Sequence, residues 1–543
     1  MSGHVTVPPP RNEPVLSYAP DSPERTDLEA RLRLMQDRVT EIPLLIGGEE
    51  VRTGTTIDVV MPHDHGHVLA RAHQAGPAEV ERAAEAALEA HEAWSTMAWE
   101  DRASVFLKAA ELLAGPWRPV LNASTMLGQS KTAHQAEIDA AAEMVDFLRF
   151  NVHYAEKIYG DQPLSGPGMW NRSEYRALEG FVYAITPFNF TSIGGNLPSA
   201  PAIMGNTVVW KPARTALFSN YWMARLFEAA GLPGGVINFI SGNSAAITEA
   251  LLGHRHFGGV HFTGSTAVFN SFWKDIGANV GRYRSYPRIV GETGGKDFIV
   301  AHPSADPAAL VTAIIRGAFE YQGQKCSAAS RVYLPESLWE EIRDTLVEEV
   351  EGIAMGDPTD FSNFMAAVID ASAYEKIKGY IDRARESEDA EIVTGGECDD
   401  RTGWFIRPTV VRALTPDYES MEEEIFGPVL TVYVYADDAW STTLELVDRT
   451  SPYALTGAVF ARDRVAVREA LDSLRHAAGN FYVNDKPTGA VVGQQPFGGA
   501  RGSGTTDKAG PAMNLLRWVS ARTLKQTFVP AAHSRYPFME GGE

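Results

Sequence analysis

Short apolar runs alternating with helical stretches fill the middle of the chain. Between Gly180 and Glu292, the runs Phe181 to Thr186, Thr207 to Lys211, Val236 to Ile240, Gly259 to Thr263 and Ile289 to Gly291 predict buried strands. The stretches Trp222 to Ala230, Ala245 to Leu252 and Ala267 to Ile276 predict the helices between them. Strands separated by single helices make βαβ units and a parallel sheet, which binds ligands at the carboxyl ends of its strands. The layout is of a nucleotide-binding type.

A second alternating region runs from Asp306 to about Val483. Its helices are predicted near Ala308 to Phe319, Leu338 to Gly352, Ala373 to Arg385 and Val465 to Leu474. Its strands are predicted near Arg331 to Leu334, Val429 to Tyr435, Gly457 to Phe460 and Phe481 to Asn484. Upstream, Ala78 to Ala114 carries two amphipathic helical patterns. Ala133 to Ile158 carries a third, with Ile138, Ala142, Val145, Leu148 and Val152 at helical spacing. Met1 to about Thr40 is polar and charged, with three consecutive prolines, and reads as an arm docked on the body. Asn171 to Leu178 and Val519 to Val529 are β-prone pieces with no partner in either sheet; such edges pair with each other or with another subunit.

The 543 residues suffice for several units at roughly 150 residues per domain. Apolar residues at 44% and charged residues at 22% exclude disorder, coiled coil and collagen as whole-chain readings. A net charge of −21 repels phosphate backbones and anionic membranes, so neither nucleic acid nor a membrane is expected as a partner. No run approaches the roughly 18 apolar residues of a membrane span, and Met1 to Arg11 shows no secretory or transit pattern. The two cysteines, Cys326 and Cys398, are too few for a disulfide framework and fit a reducing cytosol. A cytoplasmic enzyme without a metal centre is the expectation.

The densest chemical signal is Tyr321-Gln322-Gly323-Gln324-Lys325-Cys326-Ser327, one cysteine among small and polar residues after a helix. Most free cysteines are inert buried hydrophobes. A neighbouring Lys325 and backbone amides would favour the nucleophilic thiolate, provided that other partners exist. Four stretches offer them. Glu292-Thr293-Gly294-Gly295-Lys296 sets a carboxylate at a strand end, and Pro187-Phe188-Asn189-Phe190 presents an amide between two aromatics. Trp210-Lys211-Pro212-Ala213 ends another strand, and Phe262-Thr263-Gly264-Ser265-Thr266 feeds a Gly-Ser turn at a helix start, where backbone N–H groups could hold pyrophosphate. Each has a bland competing reading: Asn as a turn former, Glu solvated or paired, Gly-Ser as an ordinary turn.

Taken in this order with Glu424-Ile425-Phe426-Gly427-Pro428 and Pro496-Phe497-Gly498-Gly499, the motifs resemble the aldehyde dehydrogenase superfamily. Asn484 to Gly499 and Glu137-Ile138-Asp139-Ala140-Ala141-Ala142-Glu143 are closest in wording to its glutamate γ-semialdehyde (1-pyrroline-5-carboxylate) branch. The resemblance implies an α/β fold with a Rossmann-type NAD-binding domain, a second α/β catalytic domain and a β-flap for oligomerisation. It places an arm at 1–45, the NAD-binding domain at 46–163 and 180–293, and the catalytic domain at 294–512. The flap and C-terminal segment take 164–179 and 513–543.

The same resemblance implies roles. Cys326 is the expected nucleophile, Asn189 an oxyanion donor together with the Cys326 backbone N–H, and Glu292 the base that activates water. NAD is the expected cofactor: Lys211 at the adenosine ribose, Ser265 with Gly264 at the pyrophosphate, Glu424 at the nicotinamide ribose, and Phe426, Pro187 and Phe188 nearby. Ser327, Gly489 and Ala490 would take the substrate carboxylate, Glu143 the amino group, and Phe190 and Phe497 would flank the methylene chain. For the two phenylalanines ordinary packing competes, and for Glu143 a solvated helix face. Two positions depart from the common pattern: Arg214 stands where many members carry a ribose-binding Glu, which bears on NAD against NADP, and Phe269 stands where a second Gly is common.

The leading expectation is NAD-dependent oxidation of glutamate γ-semialdehyde to glutamate, the second step of proline catabolism. Another semialdehyde is the alternative, and a catalytically silent member is disfavoured because Cys326, Glu292, Asn189 and Lys211 occur together. A homodimer or an assembly of dimers is expected. The length leaves no room for a fused proline dehydrogenase, which is then expected as a separate protein.

Overall fold

The computed structural model describes residues 5–539 and 541. Its first large sheet has seven strands in the order Arg288–Glu292, Phe257–Thr263, Phe181–Thr186, Thr207–Pro212, Ile237–Phe239, Leu44–Ile46, Glu49–Val51. The first five run parallel, and the last two join antiparallel. Every residue of Thr207–Pro212 and of Phe257–Thr263 is buried, as expected of parallel strands covered on both faces. The strand Leu44–Ile46, which straddles residue 45, belongs to this sheet.

The second large sheet also has seven strands, in the order Ala390–Thr394, Thr409–Ala413, Val429–Tyr435, Ala329–Pro335, Asp297–Ala301, Thr456–Phe460, Asn480–Val483. Only Ala390–Thr394 runs antiparallel. A three-stranded sheet of Thr40–Ile42, Asp64–His73 and Thr56–Met61 lies apart. The two β-prone pieces find each other: Met169–Arg176 pairs antiparallel with Ser520–Thr527 through eight residue pairs, a two-stranded ribbon.

Several elements depart from the sequence expectation. The segment expected as an arm contains a helix, Pro23–Gln36, capped by Ser22 and docked through Leu28, Leu32 and Met35, whose helical spacing is hidden among charges. Its first four residues lie outside the described residues. The helix Thr191–Ile203 escapes the pattern because Pro198 and Pro201 lie inside it. At Gly195 an added Cβ would stand 2.6 Å from the Met144 sulfur, so the close approach to the neighbouring helix requires glycine. The third amphipathic stretch is one continuous helical rod, Ala133 to Gly160, interrupted by a π-helical segment, Glu137–Glu143. Such segments are rare and concentrate at functional sites.

Candidate active site

The predicted motifs converge because they end parallel strands. Phe181–Thr186 runs into Pro187-Phe188-Asn189, Thr207–Pro212 carries Lys211, Phe257–Thr263 runs into Gly264-Ser265, and Arg288–Glu292 ends on Glu292. All four ends lie on the carboxyl side of one sheet, where an open α/β sheet leaves its crevice.

Cys326 comes from the other sheet's side, on a loop before Ala329–Pro335. Tyr321 and Gln322, just ahead of it, both adopt left-handed backbone (φ 53° and 55°), which is costly for residues with side chains. Gln322 holds the turn: its Nε2 donates to the carbonyls of Ser130 (3.0 Å) and Ala367 (2.7 Å), and its Oε1 accepts from the Ala366 N–H (3.2 Å). Gly323 follows at φ +65°, where a Cβ would collide with the Gly427 carbonyl at 2.3 Å.

The loop delivers Cys326 to a cavity of about 340 Å³. Its Sγ stands 3.9 Å from Glu292 Oε1, with the sulfur 8% exposed as a residue. Burial, then the charges of Glu292, Asp297 and Glu424, push the thiol well above its ordinary range. Burial likewise pushes Glu292 up to about 8, opposed by the nearby Lys508 ammonium. The expectation that Lys325 poises a thiolate is not met. Its Nζ pairs with Glu320 at 2.9 Å, so that charge is already compensated.

All six residues expected at the substrate line the same cavity: Glu143, Phe190, Ser327, Gly489, Ala490 and Phe497. Glu143 faces inward and accepts from Ser192 Oγ at 2.6 Å; burial and the Asp139 charge push its carboxyl up to about 8. Ser327 Oγ and Thr488 Oγ1 are 2.8 Å apart. Gly489 sits at φ +97°, a conformation that favours glycine. Phe497 is held by paired backbone bonds with Ala509.

Asn189 is buried against the cysteine loop, its Nδ2 donating to the Gln324 carbonyl at 3.1 Å. A carboxamide NH2 has two donors, so one remains.

The residues expected at the cofactor stand outside that cavity. Lys211 is buried, and among the described residues its ammonium has only the neighbouring Pro212 carbonyl at 3.3 Å; burial lowers it to about 8. Such a donor suits hydroxyl acceptors. Ser265 caps the helix Thr266–Asn279, accepting from the Val268 N–H, and the Gly264 N–H donates to the Glu292 carbonyl at 3.2 Å. Glu424 Oε1 accepts from the Gly295 N–H at 2.9 Å, and a Cβ at Gly294 would meet that carboxylate at 2.5 Å. Phe426 (φ 63°) meets Phe188 edge to face, ring centroids 5.7 Å apart, beside Pro187. A buried cation, a helix start and a half-buried carboxylate are the donor and acceptor types that a dinucleotide's ribose hydroxyls and pyrophosphate require.

Of the two departures, Phe269 is core: it stacks on Phe262 at 5.6 Å and lies against Gly291, where a Cβ would meet its ring at 2.2 Å. Arg214 is exposed at a separate cavity of about 280 Å³, beside Asp370, Ser372 and Trp404.

Sequence reasoning missed several residues that shape the site. Lys131 and Asp139 form a fully buried pair at 2.7 Å. Asp139 accepts from the Thr191 and Ser192 N–H groups (both 2.9 Å), and the Lys131 ammonium lies 4.2 Å from the Phe190 ring centroid and 4.4 Å from that of Tyr321. Asp139 was in view within the Glu137 to Glu143 wording; Lys131 carries no sequence signal of its own. Lys508 lines the cavity and donates to the carbonyls of Gly479 (2.7 Å) and Gly498 (2.6 Å). Lys376 donates to the Glu424 carbonyl at 2.8 Å. Among the described residues no group of three His, Cys, Asp or Glu side chains could hold a metal, and no helix is long and apolar enough to cross a membrane.

Residues 50–523 match the model of the aldehyde dehydrogenase family. Delta-1-pyrroline-5-carboxylate dehydrogenase, mitochondrial, of Dictyostelium discoideum is 53% identical over 538 residues, 98% of this chain and 96% of that protein. The delta-1-pyrroline-5-carboxylate dehydrogenase of Agaricus bisporus is 53% identical over 534 residues, 98% and 97% of the two chains. The crystal structure of the Mycobacterium tuberculosis delta-pyrroline-5-carboxylate dehydrogenase bound with NAD superposes with a TM-score of 0.96 at 54% identity, covering 100% of both chains. The architecture is the aldehyde dehydrogenase fold. A likeness that runs from the strand-end motifs through nearly the whole length leaves one assignment: the chain belongs to the aldehyde dehydrogenase family.

Proposed function

We propose that the protein oxidises L-glutamate γ-semialdehyde, the open form of 1-pyrroline-5-carboxylate, to L-glutamate with NAD, the second step of proline catabolism. The observation that carries this reading is that one cavity holds Cys326 and Glu292 together with Glu143, Ser327 and the Gly489-Ala490 turn. That set pairs a reactive thiol with groups suited to an α-amino acid headgroup. Relatives near half identity over their full lengths bear the corresponding name.

The Cys326 thiol passes its proton to solvent as sulfur attacks the aldehyde carbon, giving a hemithioacetal. The developing oxyanion is met by the free N–H of the Asn189 amide and the Cys326 backbone N–H, each worth about 3 kcal/mol in comparable sites. Bound NAD supplies the hydride acceptor that turns the hemithioacetal into a thioester. Glu292 then takes a proton from water, which attacks the thioester, releasing the carboxylic acid and restoring the thiol. One aldehyde, one water and one NAD give one carboxylate, one NADH and two protons. A carboxyl raised by burial ionises when an ammonium approaches, so Glu143 and the substrate amino group stabilise each other's charged forms.

Lys211, Gly264, Ser265, Glu424, Phe426, Pro187 and Phe188 are the proposed cofactor contacts. Residues 46–163 and 180–293 are the proposed NAD-binding domain, whose start the strand Leu44–Ile46 moves ahead of residue 46, and 294–512 the catalytic domain; the proposed arm ends before that strand, and 164–179 with 513–543 are the proposed flap and C-terminal segment. The ribbon Met169–Arg176 with Ser520–Thr527, carrying Trp170 at 51% exposure, is the proposed surface of a homodimer. A separate proline dehydrogenase would supply the substrate. Two free cysteines suit a reducing compartment, and a cytoplasmic location is proposed on that ground. The direct test is NADH formation with competing aldehydes.

A further inference from the structure

The N-terminal arm reaches the cavity. Asn12, Glu13 and Val15 are part of its lining. Its polar contacts go to two walls. Toward the helical rod that carries Glu143, the Glu13 N–H donates to Asp146 Oδ1 (2.7 Å), the Leu16 N–H to Glu137 Oε1 (2.8 Å) and the Tyr18 hydroxyl to Glu137 Oε2 (2.8 Å). The Glu13 carboxylate, 10% exposed, pairs with Arg118 (2.7 Å) and Arg149 (2.8 Å).

Asn12 alone of these spans both walls. Its Nδ2 donates to Asp146 Oδ2 (2.7 Å) on the rod and to the Val492 carbonyl (2.8 Å) on the loop after Gly489-Ala490, while its Oδ1 accepts from Gln494 Nε2 (3.0 Å). Only a carboxamide of this length can donate twice and accept once at that point. A carboxylate has no proton for either acceptor, and an alanine reaches neither.

We infer that Asn12 is a positioning residue for substrate recognition: it ties the loop that presents Gly489 and Ala490 to the helix that presents Glu143, fixing the distance between the two sites that hold the headgroup. The inference rests on the semialdehyde reading for its substrate. Glutamate semialdehyde must bridge both walls, whereas propanal has no headgroup and needs neither.

The test compares the full-length wild type with Asn12→Ala and with Asn12→Asp, which is nearly isosteric, on glutamate semialdehyde and on propanal. The expected result is a KM for glutamate semialdehyde raised about tenfold in both variants, as for the loss of one or two partly buried hydrogen bonds, with kcat and the propanal kcat/KM within about twofold of wild type. Hydrogen exchange of residues 489–495, measured without substrate, should be faster in both variants at an unchanged Tm. An unchanged KM, or an equal loss on both aldehydes, overturns the inference. A wild type inactive on glutamate semialdehyde would instead defeat the functional reading, and unchanged loop exchange would then overturn the tie itself.

Discussion

Glu292 Oε1 faces Cys326 Sγ at 3.9 Å across a site that keeps both groups protonated at neutral pH. A carboxyl pushed up to about 8 binds its proton below that pH and can accept one only above it. Deacylation, the step that needs the free carboxylate, therefore rises about tenfold per pH unit below about 8 and levels above it. Lys508 favours the ionised form, so Lys508→Met moves the midpoint upward while Lys508→Arg leaves it. The pH dependence of single-turnover thioester hydrolysis checks this. A midpoint near 4.5, the ordinary glutamate value, would contradict a carboxyl raised by burial.

Cys326→Ala removes the atom that forms the covalent bond. Aldehyde oxidation falls by about 10⁴-fold or more, while NAD binding and Tm stay near wild type. Retention of appreciable turnover would dismiss Cys326 as the nucleophile.

Glu292→Gln keeps the shape of the base and removes its function. Deacylation slows by about 10²- to 10⁴-fold, so a burst of one NADH per subunit precedes a slow steady state, and the acyl-enzyme is visible by intact mass. Full activity without a burst would assign the water to another base.

Lys131→Met leaves Asp139 as a buried charge without its cation. The expected loss is about 3–5 kcal/mol of stability, read as a Tm lower by several degrees. Because Asp139 also receives the first amides of Thr191–Ile203 and Lys131 lies over Phe190, the KM for the semialdehyde rises as well. An unchanged Tm would mean that water already compensates the pair.

Much of this fold is legible in the chain because buried parallel strands are nearly continuous apolar runs: Phe181–Thr186 and Thr207–Pro212 stand where the pattern sets them. Asp297–Ala301 is missed because the strand begins on a charged residue next to Lys296, and Thr191–Ile203 because its prolines are tolerated inside a packed helix. The site shows the same division. Residues on named motifs, such as Cys326 and Glu424, can be found from sequence. Lys131 meets Asp139 eight positions on, Lys508 meets Gly498 and Gly479 ten and 29 positions back, and Asn12 reaches Val492 over 480 positions; no motif covers any of the three. The reading of Lys325 fails for a related reason: its neighbour in sequence is Cys326, but its partner in space is Glu320.

The most direct test of the account is NADH formation by the purified protein with glutamate γ-semialdehyde, run beside succinate semialdehyde and propanal, with NAD and NADP in parallel. The account predicts kcat/KM for glutamate semialdehyde with NAD at least about a hundredfold above the other aldehydes, about 2.7 kcal/mol of differential transition-state binding. Similar rates on all three aldehydes would contradict it and withdraw the headgroup roles of Glu143, Ser327, Gly489 and Ala490.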